Sequence, residues 1–369
     1  MANKTREPLV HISRRSTLPW YQSWGIRACA LILSLGVCAL VTVLTTGENP
    51  LSVFGAIYDA SFSSQRRTWV LFQNIAMLLS VSLAVVPAFK MRFWNLGGEG
   101  QMLAGALATT ACMICLRDAF PNGALIPVMI VCSIAAGALW GFVPAFFKAK
   151  WGTNETLFTL MMNYIAIQLV SFFIIVWEMP KGAGQIGIIN QSTEIGWLPP
   201  VAGQKYLLNI IVVAVLTVFM FIYMKYSKHG YEISVVGESV RTARYVGIRV
   251  EKVIIRTMVL SGALCGLAGY LIAAGADQTV TTESAGGQGF TGILVAWLGK
   301  FNPLFMIITA GLIQLLNQGA AQISQDFDVS GALPNVIVGI ILFFIIGSEF
   351  FINYQVHFRR HSARKESVK

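Results

Sequence analysis

Charged residues are scarce in this chain. Asp, Glu, Lys and Arg make up 12% of its 369 residues, whereas 55% are hydrophobic. Soluble domains carry about a quarter charged residues, so this shortage excludes a soluble globular protein. The apolar runs also lack the period-2 alternation of an outer-membrane barrel. Several of them reach the roughly 20 residues that a helix needs to cross a bilayer, which indicates a polytopic helical membrane protein.

Groups that could build a catalytic or metal centre are equally few. Of the four histidines, three lie in the terminal tails and one in a basic loop, and all six cysteines lie in apolar stretches. The apolar placement of the cysteines disfavours a disulfide framework. Cys112 and Cys115 have C-x-x-C spacing, but no second pair or histidine is near them, which disfavours a zinc site. We therefore predict no enzymatic activity, no cofactor and no metal in this chain.

A nucleotide-hydrolysing loop is also lacking. The nearest stretch, 292–300, has six residues between its glycines instead of four, and Phe301 stands where Ser or Thr would hold Mg²⁺. If transport by this chain is active, ATP and Mg must be bound by a separate ATPase subunit, or an ion gradient must drive it.

Hydropathy and helix breakers predict ten transmembrane segments. They are 28–46, 70–89, 99–116, 124–147, 155–177, 206–224, 253–274, 288–299, 303–322 and 334–353. The eighth is too short to span a bilayer unaided.

The basic residues predict the orientation of these spans. All except Arg66, Arg67, Arg117, Lys181 and Lys205 fall in the tails and the connections of one side, as expected for the cytoplasmic side. The net charge of +10 therefore reflects membrane topology rather than nucleic-acid binding. We expect a cytoplasmic basic tail at 1–27, a transmembrane domain over 28–353 with a cytoplasmic loop at 225–256, and a cytoplasmic basic tail at 354–369.

Two glycine-rich polar breaks interrupt the apolar pattern at corresponding places. Spans two to five and seven to ten form two four-helix blocks that enter the membrane from opposite faces. The first break, "NLGGEGQ" (95–101), and the second break, "SAGGQGF" (284–290), precede the second helix of each block. Paired breaks in inverted repeats point to a transport site, because freed backbone groups must line a cavity or be buried in protein. Tight turns with glycines for close helix packing remain the alternative.

The cytoplasmic loop contains a short amphipathic pattern at 238–246. Val240, Ala243 and Val246 share one helical face, Arg241 and Arg244 flank it, and Gly237 and Gly247 bracket it as helix breakers. Such a helix suits docking into a groove on a partner protein. A basic helix resting on anionic lipid headgroups is the alternative.

Five motifs in order resemble the permease subunits of bacterial ABC importers for nucleosides and simple sugars, in the branch that contains the ribose permeases. The motifs are "NLGGEGQMLAGA" (95–106), "GTNETLFTLMMNYIA" (152–166), "GESVRTARYVGI" (237–248), "LSGALCGLAGY" (260–270) and "GGQGFTGILVAWLGKFNP" (286–303). The last motif departs from the family pattern at Leu294 and Trp297. The resemblance covers about residues 70–345.

This resemblance implies an all-α fold of ten crossings in two inverted four-helix repeats, with a cytoplasmic coupling helix. It implies partners: ATPase subunits, a second permease that is identical or paralogous, and an extracytoplasmic substrate-binding protein. The expected location is the lipid of the bacterial inner membrane, with both termini cytoplasmic. Residues 237–248, the coupling segment, are expected to transmit ATPase closure through Gly237, Glu238, Arg241, Ala243, Arg244 and Gly247.

The sequence of the first break is similar to that found at this position in the nucleoside branch of the family. Ribose-type permeases carry D-L-S-V-G at the same position. Nucleosides are neutral, with a flat base and a hydroxylated ribose, so their pathway needs amides and aromatic or apolar walls. The candidate pathway residues are Asn95, Glu99, Gln101, Asn163, Gln288 and Phe290. Two roles are open for Glu99: bonding substrate hydroxyls, or stabilising a helix N-terminus with its charge.

The sequence thus predicts a permease subunit that forms an alternating-access pathway for nucleoside uptake. A monosaccharide or sugar derivative on the same scaffold is the alternative substrate. A secondary transporter working alone would instead need ionisable residues paired within the membrane. Mid-span acids are nearly absent, with Glu349 near the end of the last span, so that class is disfavoured.

Overall fold

A computed structural model describes residues 10–15, 18–47, 49–326 and 332–358. The described residues form thirteen α-helices and two short strands. In chain order these are β1 (Val10–Arg14), α1 (Trp20–Thr46), α2 (Pro50–Phe62), α3 (Gln65–Lys90), α4 (Gly98–Cys115), α5 (Asn122–Trp151), α6 (Glu155–Trp177), α7 (Leu207–Tyr226), α8 (Lys228–Glu238), α9 (Val240–Tyr245), α10 (Val250–Tyr270), α11 (Gln288–Leu298), α12 (Pro303–Asp326), α13 (Ala332–Asn353) and β2 (Tyr354–Phe358). The chain divides into a terminal unit, residues 1–61 and 316–369, and a central unit, residues 62–315.

Eight helices of the described chain are long and apolar enough to cross a membrane. Their spanning portions are Tyr21–Thr45, Gln65–Lys90, Asn122–Trp151, Glu155–Trp177, Leu207–Tyr226, Val250–Ala276, Pro303–Ile323 and Val336–Asn353. Each coincides with one of the ten predicted spans. The prediction of an all-α polytopic membrane protein is confirmed, while the inverted-repeat arrangement and the membrane side of each end stay predictions.

The two remaining predicted spans correspond to α4 and α11. Each of these helices begins inside one of the glycine-rich breaks. α4 has 18 residues and α11 has 11. At 1.5 Å per residue they extend about 27 Å and about 16 Å, against about 30 Å of hydrocarbon. Both helices are shorter than the membrane is thick, as expected if each break replaces the first part of a span.

The central unit is built around α10, which packs against α3, α4 and α5. Glycines make these contacts close: a Cβ atom on Gly137 of α5 would collide with the backbone of Gly262 and Gly266, and one on Gly105 of α4 would collide with Gly266. Small residues allow helix backbones to approach in this way where no hydrophobic effect drives association within lipid. The helix α4 is therefore held directly on α10, whereas α11 packs on α3 and α4.

α10 continues as a π-helix over Leu271–Ala276. The Asn209 side chain of α7 donates to the Leu271 carbonyl at 3.2 Å, and the N–H of Leu198, in the connection between α6 and α7, donates to the Ala274 carbonyl at 3.1 Å. The π segment is thereby tied to α7 and to that connection.

In the terminal unit, α1 packs against α13, and β1 pairs antiparallel with β2. Arg27 and Glu349 form an ion pair at 2.5 Å between the two helices. The strand pairing brings residues 10–14 beside residues 354–358. The predicted tails 1–27 and 354–369 lie partly outside the described residues.

Three local features differ from the sequence predictions. α1 begins at Trp20 rather than residue 28. α2 occupies a stretch for which no helix was expected, and its Val53 and Ile57 are buried. The loop at 225–256, which was predicted to be cytoplasmic, contains two helices, α8 and α9, instead of one. In α2 and α8 the pattern is too short to be recognised without the surface on which the helix packs.

Candidate functional site at two glycine-rich breaks

Buried amides hold the first break in place. Asn95 is fully buried, and its Oδ1 accepts from the N–H of Gly97 at 3.0 Å. The Asn95 and Gln101 side chains form a reciprocal amide pair with both distances at 3.3 Å, and Asn95 Nδ2 lies 3.2 Å from the Ser261 hydroxyl of α10. These bonds satisfy polar groups that a broken helix leaves within the protein.

Asn163 of α6 clamps the same segment from another side. Its Oδ1 accepts from the N–H of Gly100 at 2.8 Å, and its Nδ2 donates to the Leu96 carbonyl at 2.8 Å. A Cβ atom on Gly100 would lie 2.9 Å from Asn163 Cα, so only glycine fits there. Asn163 thus uses both ends of its amide on backbone groups of the break.

Glu99 joins the first break to the second. Its Oε1 accepts from the N–H of Gly287, the N-cap residue of α11, at 3.3 Å. A Cβ atom on Gly289 would lie 2.6 Å from the Glu99 backbone nitrogen, and one on Gly98 would lie 3.8 Å from Gly289 Cα. The N-termini of α4 and α11 therefore meet, and the partial positive charge of both favours a carboxylate between them.

The six predicted pathway residues fall into two groups. Asn95, Gln101 and Asn163 are buried, at 0%, 1% and 4% exposure, with their amides engaged inside the chain. Glu99 and Gln288 are partly exposed, and Phe290 is 43% exposed. The side-chain amide oxygen of Gln288, Oε1, is buried without a hydrogen-bond partner among the described residues. The structure brings all six to the two breaks, and their contact with a substrate stays a prediction.

An aromatic surface borders the second break. On α11, Phe290, Leu294 and Trp297 are exposed on one helical face, whereas Gly292 and Val295 are buried on the other. The Trp297 ring lies 5.7 Å from the ring of Trp94, which is 46% exposed. Sequence reasoning did not select Trp297 as a site residue; its departure from the family motif was the available signal.

The predicted helix break at Gly237 is wrong. Gly237 lies inside α8, fully packed against the carbonyl of Lys90, and the break comes at Ser239. The Ser239 hydroxyl accepts from the N–H of Thr242 at 3.2 Å and so caps α9. Serine is a strong N-cap residue, which explains why the helix restarts there.

α8 connects the coupling segment to the membrane helices. Through Gly237 it contacts Lys90, the last residue of α3, shortly before the first break. An ion pair at 2.6 Å joins Glu232 of α8 to Arg256 of α10. The helix α8 is therefore in direct contact with the end of α3 and with α10 at Arg256.

α9 presents an exposed surface. Ala243 is completely buried and anchors the helix, whereas Arg241 and Arg244 are exposed and Tyr245 is 92% exposed. Glu238, at the end of α8, is exposed as well. Gly247 follows α9 with φ +83°, a left-handed conformation that favours glycine. The predicted coupling residues thus divide into the buried Gly237 and Ala243 and the exposed remainder.

The connection between α6 and α7 is ordered by a carboxylate. Glu178 accepts from the N–H groups of Gly182 and Gly184, both at 2.8 Å. These two bonds hold the pKa of Glu178 below its ordinary value. A polar cavity of about 700 Å³ opens beside this connection, lined by residues that include Arg117, Asp118 and Asn190.

The fold and the two breaks define a polytopic membrane transport protein. The chain belongs to the family described as "Branched-chain amino acid transport system / permease component", which matches residues 66–346.

Three similar proteins are permeases of ABC transporters. The glucose permease TsgB13 of Haloferax volcanii is 29% identical over 94% of this chain and 93% of its own length. The guanosine permease NupP of Bacillus subtilis is 31% identical over 86% of this chain and 92% of its own. The nucleoside permease NupB of Lactococcus lactis is 27% identical over 94% of this chain and 92% of its own length. The resemblance to importer permeases is confirmed.

Proposed function

We propose that this chain is a permease subunit of an ABC importer that takes up nucleosides across the bacterial inner membrane, with both termini cytoplasmic. The observation that carries the proposal is the meeting of the two glycine-rich breaks at Glu99 and Gly287 in a member of this permease family. The names of NupP and NupB support nucleosides as the substrate. The name of TsgB13 supports a sugar as the second candidate.

The chemistry at the second break suits a neutral substrate with a flat ring. Phe290 and Trp297 offer exposed aromatic faces, and a nucleobase stacks on such surfaces. Gln288 and Glu99 offer hydrogen-bonding groups for hydroxyls or ring nitrogens. A sugar lacks the flat base, so it would gain less from the aromatic side of this surface.

The buried amides have a different role in this proposal. Asn95, Gln101 and Asn163 keep the broken backbone in one defined shape, and Glu99 transmits movement of that backbone to α11. In this proposal the buried amides keep the first break in a fixed shape. The hydrogen bond between Glu99 and Gly287 is the contact that changes during transport.

Partner ATPases would drive the cycle from the cytoplasmic loop. Closure of two ATPase subunits on ATP and Mg pushes α9, whose exposed Arg244 and Tyr245 suit a partner groove. Because α8 contacts Lys90 and pairs with Arg256, the push reaches α3 and α10 and changes the meeting of the two breaks. A second permease would complete the pathway, and a substrate-binding protein would deliver the nucleoside from outside.

Uptake by the reconstituted importer tests this function. The chain would be co-expressed with its ATPase, second permease and binding protein, purified and placed in proteoliposomes. We expect ATP-dependent uptake of labelled guanosine or uridine, competed by unlabelled nucleosides and not by glucose or ribose. Uptake competed only by sugars would contradict the nucleoside proposal, and uptake by this chain alone would contradict the ABC mechanism.

A further inference from the structure

The second half of α12 is unusually polar for a helix that crosses a membrane. Residues 314–325 carry five amide side chains and no charged residue: Gln314, Asn317, Gln318, Gln322 and Gln325. The span that contains it, Pro303–Ile323, has the lowest mean hydropathy of the eight candidate spans in the described chain.

Within the terminal unit, part of this polar stretch points away from the neighbouring helix. α2 packs on Gly319, where a Cβ atom would lie 2.6 Å from the Ile57 side chain. Asn317, Ala321 and Gln325 follow each other at four-residue intervals, about 120° to 160° around the helix from Gly319. All three are exposed, and they form what we term the amide face.

The neighbouring amides show that this stretch is built for hydrogen bonding. Gln318 donates from Nε2 to the Ala60 carbonyl of α2 at 2.9 Å, which leaves its Oε1 buried without a partner among the described residues. Gln322 donates to Asp326 at 2.6 Å. Gln318 therefore has an acceptor without a partner. It lies next to Asn317 in sequence, about 100° from it around the helix.

Lipid is a poor environment for the amide face. Asn317 lies 14 residues after Pro303, so it stands about 21 Å along the helix and inside the span. An amide that faces hydrocarbon has no hydrogen-bond partner, and this is strongly unfavourable. An exposed Asn317 therefore requires water, a polar solute or a polar group of a partner protein around it.

We propose that the amide face of the terminal unit borders water and that Asn317 forms hydrogen bonds with the transported solute. This inference rests on the proposed function, because uncharged amides suit a neutral solute with hydroxyl and ring-nitrogen groups. Each amide has two donors on nitrogen and an acceptor oxygen, so it can pair with a ribose hydroxyl or with a base edge.

Cysteine labelling of the full importer tests whether water reaches the amide face. Asn317→Cys and, as a control, Ile308→Cys would be made in a chain whose six native cysteines are replaced. Ile308 lies on the same helix and is 60% exposed, but in its apolar first half. We expect a membrane-impermeant thiol reagent to label Asn317→Cys at least about 10-fold faster than Ile308→Cys. Equal, slow labelling would overturn the proposal.

Substrate protection separates this inference from the proposed function. We expect saturating guanosine or uridine to slow the labelling of Asn317→Cys. If nucleosides are not transported but another neutral solute is, and that solute slows labelling, the proposed function fails and the amide face stands. If the wild-type importer transports nucleosides but they leave the labelling rate unchanged, the amide face fails and the function stands.

Uptake kinetics of Asn317→Leu provide the second readout. Loss of one or two neutral hydrogen bonds should raise the KM for nucleoside by about 5- to 10-fold, with complex assembly unchanged. Asn317→Gln should recover part of the loss. Failure to assemble with the second permease would assign the face to the subunit interface instead. Unchanged uptake together with higher thermal stability would mean that the amide face contacts lipid, which would contradict the proposal.

Discussion

Glu99 and Gly287 lie 188 residues apart in sequence, and yet the Glu99 carboxylate accepts a hydrogen bond from the Gly287 N–H at 3.3 Å. The contact joins the first turn of α4 to the N-cap of α11, so each glycine-rich break is a structural neighbour of the other. A shift of either helix start must stretch this bond or carry the other helix with it.

Gly289→Ala should disrupt this meeting point. The new Cβ atom would lie 2.6 Å from the Glu99 backbone nitrogen, and backbone atoms cannot move aside cheaply. We expect nucleoside uptake to fall at least about 10-fold and the free energy of unfolding to fall by about 1–3 kcal/mol. The control is Gly339→Ala on α13, where a Cβ atom meets nothing within 4 Å. Equal behaviour of the two variants would contradict the close contact.

Asn163→Leu should act mainly on stability. It removes the partners of the Gly100 N–H and of the Leu96 carbonyl, and each unpaired buried group costs about 1–3 kcal/mol. We expect a lower unfolding temperature in detergent, with Gln168→Leu, an exposed amide on the same helix, as the control. A stable Asn163→Leu protein with raised KM would instead place Asn163 in direct contact with substrate.

The exposed part of the coupling segment should affect ATP hydrolysis without affecting folding. Arg244→Ala and Tyr245→Ala should each lower substrate-stimulated ATP hydrolysis by about 10-fold or more, because truncated Arg and Tyr anchors typically cost about 2 kcal/mol of binding. Lys252→Ala, exposed but beyond α9, is the control. Normal stimulation in both α9 variants would remove this segment from the ATPase contact.

Gly237→Ala should behave differently from those variants. Its Cβ atom would collide with the Lys90 carbonyl, so the contact between α8 and the end of α3 would be strained. We expect lower thermal stability and weaker coupling together, measured by unfolding in detergent and by stimulated ATP hydrolysis. Loss of coupling at full stability would mean that Gly237 itself contacts the ATPase.

Acid should loosen the connection between α6 and α7. The N–H groups of Gly182 and Gly184 hold the pKa of Glu178 below its ordinary value of 4.5. A depressed folded pKa means that the ionised carboxylate stabilises this connection above the ordinary value, and that the stabilisation is lost as pH falls through the lower folded value. Amide-exchange protection of Gly182 and Gly184, corrected for intrinsic rates, should therefore fall below about pH 4.5 in the wild type.

The substitution Glu178→Gln should remove that pH dependence, since its amide does not ionise. Glu194→Gln, an exposed residue of the same connection, should leave the pH dependence as it is in the wild type. Protection of Gly182 and Gly184 that does not change with pH in the wild type would contradict the role of the carboxylate.

Most helix positions could be predicted because the membrane imposes a local rule. Apolar runs such as 155–177 must be long enough to cross the hydrocarbon, and the structure has a helix over Glu155–Trp177. The helix α2 was missed because its 13 residues fall below that length. The start of α9 was misplaced because glycine was taken as a breaker, whereas packing against Lys90 keeps Gly237 helical.

By itself, the amino-acid sequence determined the class of protein, the helical spans and the two glycine-rich breaks, since composition and length suffice to select segments for a bilayer. Only the tertiary structure decided that the breaks meet through Glu99 and that Asn95, Gln101 and Asn163 turn inward while Asn317 stays exposed. The side to which an amide points depends on helices distant in the chain, and no local pattern carries that information.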